Sequence, residues 1–345
     1  MTFPRHTRNG RVPGTALVVL LLAATACSGG DDNGQIGSGR DRTTTVPRFF
    51  PLTGLAADSA DAVTRQAVTV KIENSPASRP QAGLDKADIV YEAVVEGGQS
   101  RFLAVFHSTD ADQVGPVRSV RPTDPAIVDP FGGIVAYSGG IPRFVDAMKA
   151  TGLTNIDENN AGDAFRRRRD KSAPHNLYTS TGGLYDKAPD SAAPPKFADF
   201  LPPGQAFAPA GATPVSGFTL AVGSSTRADY TWDAGSGTWL RSTNGAAHSA
   251  EGGGQLAPNT VIVQFVPYEG TGEVDTTGAS VSEAKVLGSG EATIFASGVM
   301  VKARWSKPNS SSMTAWTDLA GAPISLPAGR TWVELPATGS ALTTR

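Results

Sequence analysis

The chain has one cysteine in 345 residues, Cys27, which excludes an internal disulfide and any multi-cysteine metal site. Histidine is nearly as scarce. The four, at positions 6, 107, 175 and 248, show no HExxH or similar spacing, so a zinc site has no support. Neither sign of charge dominates: 30 Lys and Arg against 32 Asp and Glu give a formal charge of -2, which excludes a nucleic-acid footprint over the chain as a whole. The apolar run at residues 16–24 is about half of the roughly 20 residues that a membrane-spanning helix needs, so a retained span is not expected. With 39% hydrophobic and 18% charged residues, the rest reads as soluble and globular, with material for about two domains.

What is present begins with an export signal. Arg5, Arg8 and Arg11 precede that apolar run, which ends in Thr25, Ala26 and Cys27. This is the order of a secretory signal peptide, residues 1–26. Small residues before a cysteine resemble a lipobox, in which the thiol is lipidated and the chain is cut just before it. Cys27 is then the lipidation site, although Ala24 stands where the common pattern has Leu; the plainer alternative is an ordinary signal cleaved near Ala26. Removing residues 1–26 takes away three arginines and no carboxylate. The mature chain is therefore more acidic, and attachment to an anionic membrane is left to the lipid. Residues 27–50, rich in Gly, Ser, Thr and Asp, read as the lipidated cysteine and a flexible tether.

Structure is expected from residue 51. Up to residue 187, short apolar runs alternate with helical stretches, including one that starts at Ile141-Pro142, so this domain reads as α/β or α+β. A Pro- and Ala-rich linker follows at 188–214. Residues 215–337 then carry strand patterns at 217–222, 229–233, 238–241, 260–266, 292–296, 300–305 and 331–335, ahead of a tail at 338–345. They predict a smaller, mainly antiparallel β C-terminal domain, a sandwich or barrel.

One hairpin is specified in more detail. If residues 88–96 turn through 97–100 into 101–107, Glu96 lies opposite Arg101 and Glu92 opposite Val105. Ile89, Tyr91, Ala93, Val95, Phe102, Ala104 and Phe106 then form an apolar core face, and Asp88, Glu92, Glu96, Arg101 and His107 share the other. Glu92 and Glu96 would stand roughly 13 Å apart, too far for a glycosidase-like carboxylate pair. Glu96 and Arg101 read as a cross-strand ion pair.

The blocks VKIEN (70–74), RPQAGLDKADIVYEAVVEGGQSRFLAVF (79–106), GPVRSVRP (115–122), SGGIPRF (138–144) and PHNLY (174–178) resemble the N-terminal domain of the YerB-like lipoproteins. GEATIFASGVMVKARWSKP (290–308) and GRTWVEL (329–335) resemble the C-terminal domain of the same family. The resemblance implies a two-domain envelope lipoprotein on the outer face of the cytoplasmic membrane, and brings no settled activity. A looser similarity connects Lys86-Ala87-Asp88, Arg118 with Arg121 and Asp124, and Ala136-Tyr137-Ser138-Gly139-Gly140 to the LytR-CpsA-Psr envelope phosphotransferases. It implies a polyprenyl-pyrophosphate-linked glycan as substrate, with Asp88 helping to hold Mg²⁺; outside that alternative no cofactor is expected.

Arg118 and Arg121 flank a turn after Gly115-Pro116, and Arg143 follows Gly139-Gly140. Guanidinium forks and glycine turns suit an anion, so with Arg101 and with Arg168 of the run at 166–169 they form a candidate ligand site. The alternative is that they are tied to nearby acids such as Asp124, or form a solvated basic face. His175, Asp88 and Glu92 are the candidate acid–base groups, although one histidine without a nucleophile equally fits a structural role. The five tryptophans, all beyond residue 230, read as strand packing rather than a sugar-stacking surface. The expected partners are the membrane, through the lipid, and a cell-wall glycan, a polyprenyl phosphate or an envelope protein. Whether the chain is an enzyme stays open.

Overall fold

The computed structural model describes residues 48–345; the export signal, Cys27 and nearly all of the tether lie outside the described residues. Most of the ordered chain is β-structure with a few short helices. In the first half, β1 (Val68–Glu73), β2 (Ile89–Val94) and β3 (Ser100–Phe106) are long, and β4 (Ile134–Ala136) and β5 (Thr154–Ile156) are short. In the second half, β6 (Gly217–Gly223), β7 (Thr226–Asp233) and β8 (Thr238–Thr243) run up and down. They are followed by β9 (Thr260–Gln264), β10 (Gly288–Ala296), β11 (Val299–Lys307), β12 (Ala315–Thr317) and β13 (Thr331–Leu335).

One sheet runs through both halves, in the order β12-β11-β10-β9-β13-β2-β3-β1-β4-β5. Its seam is β13, which pairs parallel with β9 on one side and parallel with β2 on the other. Every residue of β1, β3, β9 and β13 is buried, the pattern of strands covered on both faces. A second sheet of five strands includes β6, β7 and β8. Phe218, Leu220, Tyr230 and Trp239 from it pack on Val261, Val263 and Phe295 of the first, which makes the second half a mainly antiparallel sandwich. The first half is α/β, with α1 (Asp124–Val128) and α2 (Pro142–Lys149) contributing Ile127, Val128, Phe144 and Met148 to the core on one face. Four of the five tryptophans are buried and Trp232 is half-buried, in keeping with packing.

The expected hairpin forms with a different register. Ile89 lies opposite Val105, Glu92 opposite Phe102 and Val94 opposite Ser100, a shift of three residues from the expected pairing. The cause is the turn. Residues 96–98 form a short 3₁₀ segment with Gly97 and Gly98 both at φ +67°, so the last ladder pair closes before Glu96. An odd shift exchanges faces. Ile89, Tyr91 and Ala93 therefore share a core with Leu103 and Val105, while Phe102, Ala104 and Phe106 belong to the core on the opposite side.

Candidate functional site

A cleft of about 300 Å³ opens where the two halves meet. It is lined by Glu73 at the end of β1, Glu96 and Gly97 of the hairpin turn, Arg101 of β3, Arg118, His175, and Asp275 to Ala279 of a hairpin in the second half. Three local features place its side chains. The 115–120 segment runs beside β1, with the Arg118 amide donating to the Lys71 carbonyl at 2.9 Å. Gly115 lets it lie there, because a Cβ at that position would come within 2.9 Å of the Leu177 carbonyl oxygen. The hairpin turn is held from the other half, by the Ser225 hydroxyl donating to the Gly97 carbonyl at 2.7 Å.

The charges are unevenly matched. Arg121 makes a bidentate pair with Glu96, at 2.5 and 2.8 Å, so Glu96 is satisfied by Arg121 and not by Arg101. Glu73 accepts from the Ser75 hydroxyl at 2.9 Å and from His175 Nδ1 at 2.9 Å, and lies 3.7 Å from the Arg118 Nε. That places the proton of a neutral His175 on Nδ1 and leaves Nε2 as the free ring nitrogen. Asp275 caps its own turn through Oδ1, which accepts from the Thr277 and Ala279 amides and the Thr277 hydroxyl. Among the described residues Arg101, only 8% exposed, has a single hydrogen bond, from Nη1 to the Ser119 carbonyl at 3.1 Å, and no carboxylate within ion-pair distance. Burial, then the neighbouring Arg121 and Arg118, push its guanidinium down to about 10. Arg118 Nε is likewise buried with no hydrogen-bond partner. Arg101 thus presents unused donors at the cleft, beside an Arg118 guanidinium that faces Glu73 and donates from Nη1 to the Pro174 carbonyl at 3.4 Å.

Of the residues singled out in the sequence, Arg101, Arg118 and His175 line this cleft, and Arg121 braces its wall through Glu96. The others do not line it. Arg143 is half-exposed and pairs with Glu273 and the Thr271 carbonyl. Arg168 pairs with Asp170 and Glu251, and Arg167 with Glu158, so two of the four arginines of the basic run are matched by acids. Asp88 is fully buried and accepts from the amides of His107 and Ser108 and the Ser108 hydroxyl; burial raises its pKa. Glu92 is also fully buried and takes part in a different constellation. Arg241 of β8 donates to Glu92 at 2.5 Å and to Glu334 of β13 at 2.7 Å, with Tyr230 and His248 completing the group. No spacing in the sequence signals Arg241, Glu334 or Glu73; each is an isolated charge in a strand pattern.

Fold and cleft together define a mostly β protein of two interlocked halves with a pocket at their junction lined by charges of both signs, Arg101 and Arg118 beside Glu73, Glu96 and Asp275. Residues 52–194 match the N-terminal domain, and residues 218–333 the C-terminal domain, of the proteins of unknown function DUF3048, and the chain belongs to that family. It is 39% identical over 133 residues to the "Putative lipoprotein YerB" of Bacillus subtilis (strain 168), a stretch that spans 38% of this chain and 39% of that protein. The crystal structure of YerB protein from Bacillus subtilis superposes with a TM-score of 0.72 at 24% identity, covering 86% of this chain and 99% of that one, and so shares its fold. The comparisons give no support to the looser LytR-CpsA-Psr similarity. Its expected constellation is also not assembled: Asp88 is enclosed by Ser108 and backbone amides, and Asp124 is paired with Lys71 at 2.7 Å in the core.

Proposed function

We propose that the chain is a lipoprotein of the cell envelope, attached through Cys27 to the outer face of the cytoplasmic membrane, whose cleft binds an anionic group on an envelope ligand. The export signal, the cysteine after it and the similarity to the "Putative lipoprotein YerB" support the location. The binding reading rests on Arg101. A buried guanidinium without a carboxylate is costly, and an incoming carboxylate or phosphate offsets that cost while using donors that the protein leaves open. A wall glycan, a polyprenyl phosphate and an acidic segment of an envelope protein all carry such groups.

Calorimetric titration of residues 48–345 with solubilised wall glycan, a short-chain polyprenyl phosphate and acidic envelope peptides tests this. One of the three is expected to bind saturably, with affinity falling at least about tenfold in both Arg101→Gln and Arg118→Gln. Binding that is absent throughout, or indifferent to both substitutions, contradicts it.

A further inference from the structure

A second hollow lies on a different part of the surface. Phe49, Phe50, Gly54, Phe200 and Pro203 line an open groove of about 390 Å³, within the size range of small-molecule sites, and Lys196 is the one charged residue that lines it among the described residues. Phe49 on the groove and Leu55, next in the chain to Gly54, are each 43% exposed, a high value for large apolar side chains. The groove is built rather than incidental. Gly54, at φ +66°, lets the Phe200 ring lie against the backbone, where a Cβ would come within 2.4 Å of the ring. The Phe197 amide donates to the Pro51 carbonyl at 2.9 Å, the Leu201 amide donates to the Leu326 carbonyl at 2.8 Å, and Phe50 packs edge-on to His107.

We infer that this groove takes acyl chains of the membrane and sets the face that the protein turns to the bilayer. Position carries the argument. The groove contains the first residues of the described body, and only residues 28–47 separate that body from Cys27, a reach of at most roughly 70 Å. A body tethered there meets the bilayer at high effective concentration, and the groove is the surface next to where the described chain begins. Lys196 on the groove and the exposed Arg48 before it suit anionic headgroups, while the aromatic and proline walls suit the acyl boundary. The inference rests on the membrane attachment proposed above but not on the anion cleft.

The lone cysteine makes the test independent of natural lipidation. The chain from residue 27 onward, carrying Phe49→Trp, is coupled through Cys27 to phosphatidylglycerol vesicles with a maleimide lipid and brominated acyl chains. The coupled parent chain serves as background for the native tryptophans. The added emission is expected to be quenched at least about twofold, and the quenching to be lost in Leu55→Asp and Pro203→Asp, exposed positions at which folding is checked by thermal melting. Emission that is not quenched, or quenching that ignores both substitutions, overturns the inference. So does lipid-free self-association of residues 48–345 that is abolished by the same substitutions, because it assigns the groove to a second copy. Mass spectrometry of Cys27 from cells separately decides the natural anchor.

Discussion

Arg241 and Glu92 meet at 2.5 Å in the fully buried interior although 149 residues separate them. Their contact bonds the second half of the chain to the hairpin that carries the cleft. Glu334 lies next to Glu92 across the parallel β13–β2 pairing, so one guanidinium faces two adjacent carboxyl groups and its single charge balances only one of them. Burial and the Glu92 charge push the Glu334 carboxyl well above the usual range, and Arg241 opposes them.

Arg241→Met removes the cation and leaves those acids buried without it. The expected loss is about 3–5 kcal/mol, the usual result of breaking a buried ion pair from one side. Adding Glu92→Gln and Glu334→Gln to that variant is expected to recover part of it, since neutral amides are cheaper to bury than carboxylates. Urea denaturation of the single and triple variants measures both values.

His107 gives a pH signature. It is fully buried, its Nε2 donates to the Arg65 carbonyl at 2.9 Å, and burial lowers its pKa to about 4. In the unfolded chain it titrates near 6.5, so between about pH 6.5 and 4 the unfolded state binds the extra proton. Stability from this group is therefore complete above pH 6.5 and falls as pH drops toward 4, by up to roughly 3 kcal/mol. His107→Gln keeps a donor but cannot titrate. The stability gap between parent and variant is expected to shrink over that window in parallel denaturant titrations; a gap that is constant with pH contradicts the assignment.

Gly54→Ala probes the groove. A side chain there must adopt φ +66° and displace the Phe200 ring, with an expected cost of about 2 kcal/mol or more in chemical denaturation. The same variant is expected to weaken the vesicle quenching at position 49. Unchanged stability and unchanged quenching contradict the role given to Gly54.

The fold was legible where periodicity and breakers carry information. The strand patterns of the second half appear as strands, and Ile141-Pro142 starts α2, because alternating burial and a proline at a helix start are local properties. Register was not local. Between residues 88 and 107 both faces are buried, so alternation does not choose a pairing, and the choice falls to the turn at Gly97 and Gly98. The pairing of β13 with β2 is invisible for the same reason: TWVEL reads as a strand without naming its neighbour. In the cleft, Arg101, Arg118 and His175 could be singled out by residue type, whereas Glu73 and the Arg241 group needed contacts across long stretches of chain.

The most direct test follows the Nε–Hε resonance of Arg101 in residues 48–345 during titration with phosphate and acetate, and then with the tightest envelope ligand. Anion binding at the cleft predicts a saturable shift of that signal together with the Arg118 signal, abolished for the envelope ligand in Arg118→Gln. An Arg101 signal that stays in place while the ligand binds elsewhere contradicts it.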